Sequence, residues 1–167
     1  MRASEIVLLD PARLDELEPL WRALHAHHRD VSDLPVLADD DLSWERRRAW
    51  YGRLLADGEG FVFVARDGGT PVGYALVEVR DGADDTWPYG RRMAEVVTLS
   101  VAPDSRGGGI GTALMGAVDA ELERRDVHSL EIAVMAGNDR ARAFYERRGL
   151  RVGELLLFRF GDQARAP

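Results

Sequence analysis

The stretch from Glu95 to Leu114 constrains this chain more than any other. Residues 94–101 are β-branched and apolar, with Thr98 and Ser100 interleaved, which reads as a strand. Pro103 has no N–H to donate and ends the ladder. Three glycines, Gly107, Gly108 and Gly109, follow. Then Ile110, Leu114, Ala117, Val118 and Leu122 recur at helical spacing. A glycine-rich turn that opens directly into a helix lets backbone approach a ligand closely. The first N–H groups of the helix have no partner within it and favour an anion. Arg106 adds a multidentate cation suited to phosphate oxygens. The stretch reads as a pyrophosphate cradle.

Two common nucleotide patterns fail here on their residues. A P-loop ends in Gly-Lys-Ser/Thr, and this loop ends Gly111-Thr112 with no lysine. The dinucleotide fingerprint needs Gly or Ala where Thr112 or Leu114 stands. What fits is Arg106-x-x-Gly109-x-Gly111, preceded by Val101 and Pro103. It resembles motif A of the GNAT N-acetyltransferase superfamily, Q/R-x-x-G-x-G/A. A second motif follows in the right order. Asn138, Ala141, Tyr145 and Gly149 stand as in the family's N-x-x-A-x-x-x-Y-x-x-x-G-F signature, with Leu150 in place of the final Phe. The resemblance covers residues 60–160 well and the N-terminal third loosely.

The 167 residues read as a single domain spanning 1–167, with 161–167 as a polar, frayed tail. Apolar residues make up 46%, enough for a continuous core. No apolar run reaches the roughly 18 residues of a membrane span, and the N-terminus lacks the apolar region of a signal peptide. A net charge of −7 speaks against a nucleic-acid surface. There is no cysteine, so no disulfide and no thiol nucleophile. A cytoplasmic protein is expected, with no membrane or nucleic-acid partner; a homodimer is left open.

In chain order, residues 5–9 read as a strand. Asp10 caps a helix with Pro11 at its first position. Residues 31–42, rich in Asp and broken by Pro35, read as a loop, and 43–55 as a second helix. Strands at 61–65 and 72–79 flank a hairpin turn at Gly68-Gly69. Residues 81–92 form a polar loop holding Trp87. Alternating Leu130, Ile132 and Val134 mark a strand, 138–148 a helix ended by Gly149, and 151–160 a last strand. The order is β-α-α-β-β-β-α-β-α-β. It predicts an α/β, GNAT-like fold: one mixed, mostly antiparallel sheet with helices on both faces.

The resemblance implies acetyl-CoA as co-substrate and direct acetyl transfer to a primary amine, with a small molecule as the expected acceptor. An N-terminal or lysine acetyltransferase acting on protein, or a non-catalytic acyl-CoA-binding regulator, are the alternatives. Acyl transfer needs a neutral amine, donors for an oxyanion and a proton for the leaving thiolate. By resemblance, Tyr145 is the general acid. Glu95 is the general-base candidate; alternation puts it on a strand face with Val97, Leu99 and Val101, and Glu78 is the weaker alternative. The resemblance also implies that the Leu99 N–H on a bulged strand serves the oxyanion. It gives Val101, Gly107, Gly109, Ile110, Gly111 and Thr112 to pantetheine and pyrophosphate beside Arg106. Asn138 caps its helix and, with Ala141, flanks the pantetheine arm. It further implies that the strands on either side of motif A splay, and that residues of the first two helices wall the acceptor site. No metal is expected: His25, His27 and His28 lack a third ligand at a recognisable spacing and read as core and helix-surface residues. Trp21, Trp44 and Trp87 read as core, and Trp87 in its loop is the one that would line the acceptor pocket if any tryptophan does.

Overall fold

The computed structural model describes residues 4–82 and 86–161. Strand β1 (Glu5–Leu8) leads through a 3₁₀ segment (Pro11–Leu17) into α1 (Glu18–Val31). Helix α2 (Asp40–Ala56) is followed by β2 (Gly60–Asp67), β3 (Thr70–Asp81) and β4 (Arg92–Val101). A short 3₁₀ turn precedes α3 (Ile110–Arg124), β5 (Ser129–Glu131) and α4 (Asp139–Glu146). The sheet order is β1-β2-β3-β4-β5. The first four strands pair antiparallel and β5 joins β4 in parallel.

Each face of the sheet carries its own core. On one, Ala75, Val77, Ala94 and Val96 pack under Leu114, Val118 and Leu122 of α3 and Tyr145 of α4. On the other, Val62, Val64, Tyr74 and Leu76 pack under Trp21 of α1 and Trp44, Tyr51 and Leu54 of α2. The period-2 alternation of β2 and β3 sorts their side chains between the two faces. The hydroxyls of Tyr51, Tyr74 and Thr98 bond one another inside the second core, 3.2 Å between the tyrosines, and tie α2 to the sheet. Ser100 Oγ donates to the Leu20 carbonyl at 3.0 Å and fixes α1 against β4.

Four expectations need correction. Asp10 does cap, its Oδ1 accepting from the Ala12 N–H at 2.9 Å, but the turn it opens is 3₁₀ and the α-helix begins only at Glu18. The second helix starts three residues before Ser43, because Asp39 accepts from the Leu42 N–H and Asp40 and Asp41 favour the helix N-terminus. Acidic residues that read as loop are a cap. The strand after α3 is only three residues long, although Leu130, Ile132 and Val134 still point to the core.

No strand forms over 151–160. Leu155, Leu156, Leu157 and Phe158 are all exposed, so the run has no buried face to set a register. Residues 162–167 of the predicted frayed tail, and 83–85 of the polar loop, lie outside the described residues.

Candidate active site

The site begins where β4 leaves β5. The two strands pair only over Met93–Glu95 with Ser129–Glu131, whereas β4 continues to Val101. The expected splay is therefore present, and β4 has no β5 partner beyond Glu95. The N-terminus of α3 and the inner face of α4 border the gap, which opens as a cleft of about 390 Å³.

One end of the cleft is the glycine loop. Gly107 and Gly109 both have φ of +83°, a conformation that any side chain would strain. Gly109 is the residue before α3, and no side chain caps that helix, so its leading N–H groups are left for a ligand. Arg106 is oriented by its own loop, its Nε donating to the Val101 carbonyl at 3.1 Å. Arg140 and Arg147 of the α4 region also line the cleft, as does His27 of α1. Among the described residues no carboxylate lines it, in a chain of net charge −7. The middle of the cleft is apolar, with Leu99, Val101, Ile110, Ala141 and Phe144. Cationic and N–H donors at one end and an apolar channel beyond fit a ligand with a polyphosphate head and a slender arm, as coenzyme A is. Gly111, Thr112 and Asn138 complete the expected set, so all ten sequence-derived binding residues border one cavity. Asn138 caps α4, its Oδ1 accepting from the Ala141 N–H at 3.1 Å.

Tyr145 lies in the same cleft, 7% exposed. Burial pushes its phenol pKa well above 10, with Arg148 opposing. Its hydroxyl takes no hydrogen-bond partner among the described residues, which leaves it a free donor at the cavity wall. Phe144 packs edge-on against it at 5.1 Å between centroids.

Glu95 is elsewhere. Leu76 pairs with Thr98 but Val77 pairs with Val96, so Val97 is an extra residue in β4. This bulge resets the alternation. Before it, Ala94 and Val96 face α3; after it, Leu99 and Val101 do. Val97 packs with the α1/α2 core, and Glu95 shares that side. The expectation that Glu95 shares a face with Leu99 and Val101 is therefore corrected: an alternation count cannot see the bulge. Glu78, Glu95 and Glu131 stand in one row across β3, β4 and β5. Burial raises the Glu95 pKa, Arg80 opposes at 3.6 Å, and the two neighbouring glutamates add to the rise. Arg80 also pairs with Glu131, which accepts from the Tyr89 hydroxyl at 3.1 Å.

A second cleft, about 380 Å³, lies between α1 and α2 and is closed by Met135. A Cβ at Gly137 would fall 2.2 Å from the Val31 carbonyl oxygen, so only glycine lets the segment after β5 approach α1 this closely. Trp21 and Trp44 are core residues, and Trp21 also lines this cleft. Trp87, expected in the core, is exposed and lines neither cleft; its indole N–H donates to Glu154 at 2.7 Å. Among the described residues no cluster of three or more His, Asp or Glu is placed to hold a metal, and no helix is long and apolar enough to cross a membrane.

Sequence reasoning missed Arg140 and Arg147. Arg140 occupies a variable position of the Asn138 motif, and only its charge at the start of a helix beside the cradle could have marked it. The helix spacing alone could not place Arg147 at the cleft.

A mixed sheet splayed around an uncapped helix N-terminus is an architecture for holding a long, anion-headed ligand across a strand edge. The chain belongs to the acetyltransferase (GNAT) family, whose model matches residues 21–150. It is 29% identical over 144 residues to mycothiol acetyltransferase of Propionibacterium freudenreichii subsp. shermanii, covering 86% of this chain and 43% of that protein. It is 34% identical over 118 residues to an uncharacterized N-acetyltransferase of Methanocaldococcus jannaschii, covering 68% and 48%. The chain thus spans less than half the length of these relatives. A crystal structure of a predicted acetyltransferase from Clostridium acetobutylicum with acetyl-CoA superposes with a TM-score of 0.74 at 16% identity, over 94% of this chain and 96% of that one. That likeness establishes the fold.

Proposed function

We propose that this chain transfers an acetyl group from acetyl-CoA directly to the primary amine of a small molecule. The observation that carries the proposal is one cavity in which an anion cradle, an apolar channel and the free Tyr145 hydroxyl meet. Family membership supports the reaction class, and relatives named for mycothiol support a small acceptor.

Bound acetyl-CoA supplies an activated thioester; everything else falls to the chain. Arg106 and the N–H groups from Gly107 to Thr112 hold the pyrophosphate, with Arg140 and Arg147 adding charge. Leu99, Val101, Asn138 and Ala141 flank the arm. Tyr145 gives its hydroxyl proton to the departing sulfur. Glu95 takes a proton from the amine, which approaches from the α1/α2 face. With no cysteine in the chain, no thiol of its own can carry the acetyl group; the amine adds to the thioester carbonyl, the Leu99 N–H donates to the resulting oxyanion, and the C–S bond breaks as that oxyanion collapses. A cytoplasmic location is part of the proposal and accords with the lack of cysteine.

The test is release of CoA thiol with a panel of primary amines, together with calorimetric titration of acetyl-CoA. Amine-dependent thiol release with an acetylated product supports the reading. Tight acetyl-CoA binding with no transfer to any amine would instead make the chain a cofactor-binding module.

A further inference from the structure

The second cleft has a charge pattern of its own. Arg47 of α2 lies with its guanidinium 4.0 Å from the Trp21 ring centroid and 4.9 Å from that of Trp50. It is half-buried, and Arg46 stands beside it at the mouth. Neither is ion-paired among the described residues. Acids are not scarce on this side of the molecule, since Arg22 pairs with Asp41 at 2.5 Å, Arg29 with Asp40 at 2.6 Å and Arg48 with Asp15. The two arginines that line the cleft have no carboxylate partner, and among the described residues no acidic side chain lines the cavity.

Arg47 reaches the Tyr51 hydroxyl with one of its donors, and its remaining N–H groups are left for another partner. A half-buried cation with no carboxylate beside it is costly unless something anionic joins it. The site also repels protons: burial, helped by His25, Arg47 and His27, lowers the His28 pKa to about 4. Across the same sheet face stand Glu78, Glu95 and Glu131, of opposite sign.

Building on the acetyltransferase reading, we infer that the α1/α2 cleft is the anion subsite of the acceptor: Arg47, backed by Trp21 and Trp50, and Arg46 bind a carboxylate carried by the amine. The acceptor is then an acidic amine, and polycations such as polyamines are excluded. A ring or alkyl spacer between amine and carboxylate lies against Trp21, Trp50 and Met135.

Three primary amines with one ring separate the cases: 4-(aminomethyl)benzoate, benzylamine and p-xylylenediamine. The expected order in kcat/KM is benzoate first, by about tenfold or more over benzylamine, as for a hydrogen bond to a charged group, with the diamine last. Arg47→Gln should collapse the benzoate-to-benzylamine ratio towards one while KM for acetyl-CoA is unmoved, and Arg47→Lys should restore part of it. Arg46→Gln, at an exposed position, should lower the same ratio and remains informative if Arg47→Gln fails to fold. A purely structural Arg47 would lower both amines equally, and that outcome, or wild-type protein that takes the diamine as well as the acid, overturns the inference. Plain benzoate gives a second readout that needs no turnover. It should quench tryptophan fluorescence saturably in wild-type protein and much more weakly in Arg47→Gln. Equal or absent quenching in both rejects the subsite even if acetyl transfer is found. Quenching that depends on Arg47 upholds it even if no amine in the panel is acetylated.

Discussion

Tyr145 and Glu95 lie on opposite faces of the sheet, and the extra residue Val97 turns Leu99 and Val101 to the Tyr145 side rather than the Glu95 side. Two groups so separated do not exchange a proton directly, and in the proposed reaction donor thioester and acceptor amine approach from the two sides. The phenol is held protonated by burial, so Tyr145 contributes no basic limb below about pH 10, the ordinary tyrosine value. Tyr145→Phe keeps the ring and removes only the proton. It should lower kcat and kcat/KM together by about 10²-fold, the low end for general acid catalysis because a thiolate leaves fairly well unaided. KM for acetyl-CoA should stay nearly constant, and steady-state kinetics with chemistry shown to be rate-limiting makes the check. Glu95 behaves differently. Its pKa is raised, so the proton-accepting form is lost at higher pH than for an ordinary glutamate as the solution is acidified. The kcat/KM profile should therefore carry an acidic limb above the usual carboxylate range. Glu95→Gln should remove that limb and cost most activity on its alkaline side, with acetyl-CoA affinity unchanged by calorimetry.

At the scale of elements, the cradle is a loop and a helix end acting together. The left-handed conformations at Gly107 and Gly109 turn the chain so that α3 begins with free N–H groups facing the cleft. Gly109→Ala would add strain alone, whereas Gly109→Asp adds strain and a negative charge where an anion should sit. Acetyl-CoA affinity should fall further in Gly109→Asp than in Gly109→Ala, by at least about tenfold, the scale of one charge-assisted hydrogen bond. Equal calorimetric affinities in the two folded variants would move the pyrophosphate elsewhere. Helix α4 contributes at both levels, Asn138 capping its start while Tyr145 reaches the cavity two turns on.

For the molecule as a whole, α1 is the element that both clefts share: Leu24 and His27 border the first, Trp21 and His28 the second. His28 sits edge-on to Trp21 in the second cleft, and its burial favours the neutral imidazole. The folded pKa of His28 is about 4 against an ordinary 6.5, so between those values the unfolded chain binds more protons than the folded one. Stability from this group is present above pH 6.5 and is lost as pH falls towards 4. Thermal melts across that window should show the midpoint dropping on acidification. His28→Phe, which keeps a ring against Trp21, should flatten that part of the profile.

The motifs were legible because their chemistry is local. A glycine run before a helical pattern, an arginine at its start and an Asn-Ala-Tyr spacing on one helix need no knowledge of what packs above them. The alternating strands and the two-faced sheet were legible for the same reason, since period 2 and period 3.6 are properties of short segments. Register is not local. The bulge at Val97 exists because β3 and β4 slip by one residue between Leu76 and Val77, and that slip alone decides which face Glu95 occupies. Residues 155–158 are apolar enough for a strand and yet remain exposed, because β propensity needs a neighbour and a buried face. The charge of the α1/α2 cleft was equally hidden. Arg22, Arg29, Arg46, Arg47 and Arg48 look alike along the chain. Only packing paired the first, second and last with carboxylates and left Arg46 and Arg47 facing a cavity over tryptophan rings. The glycine loop and the Asn138–Tyr145 motif were thus written in the sequence itself, while the face that Glu95 shares and the arginines left at the second cleft were set by strand register and by which ion pairs the folded chain could close.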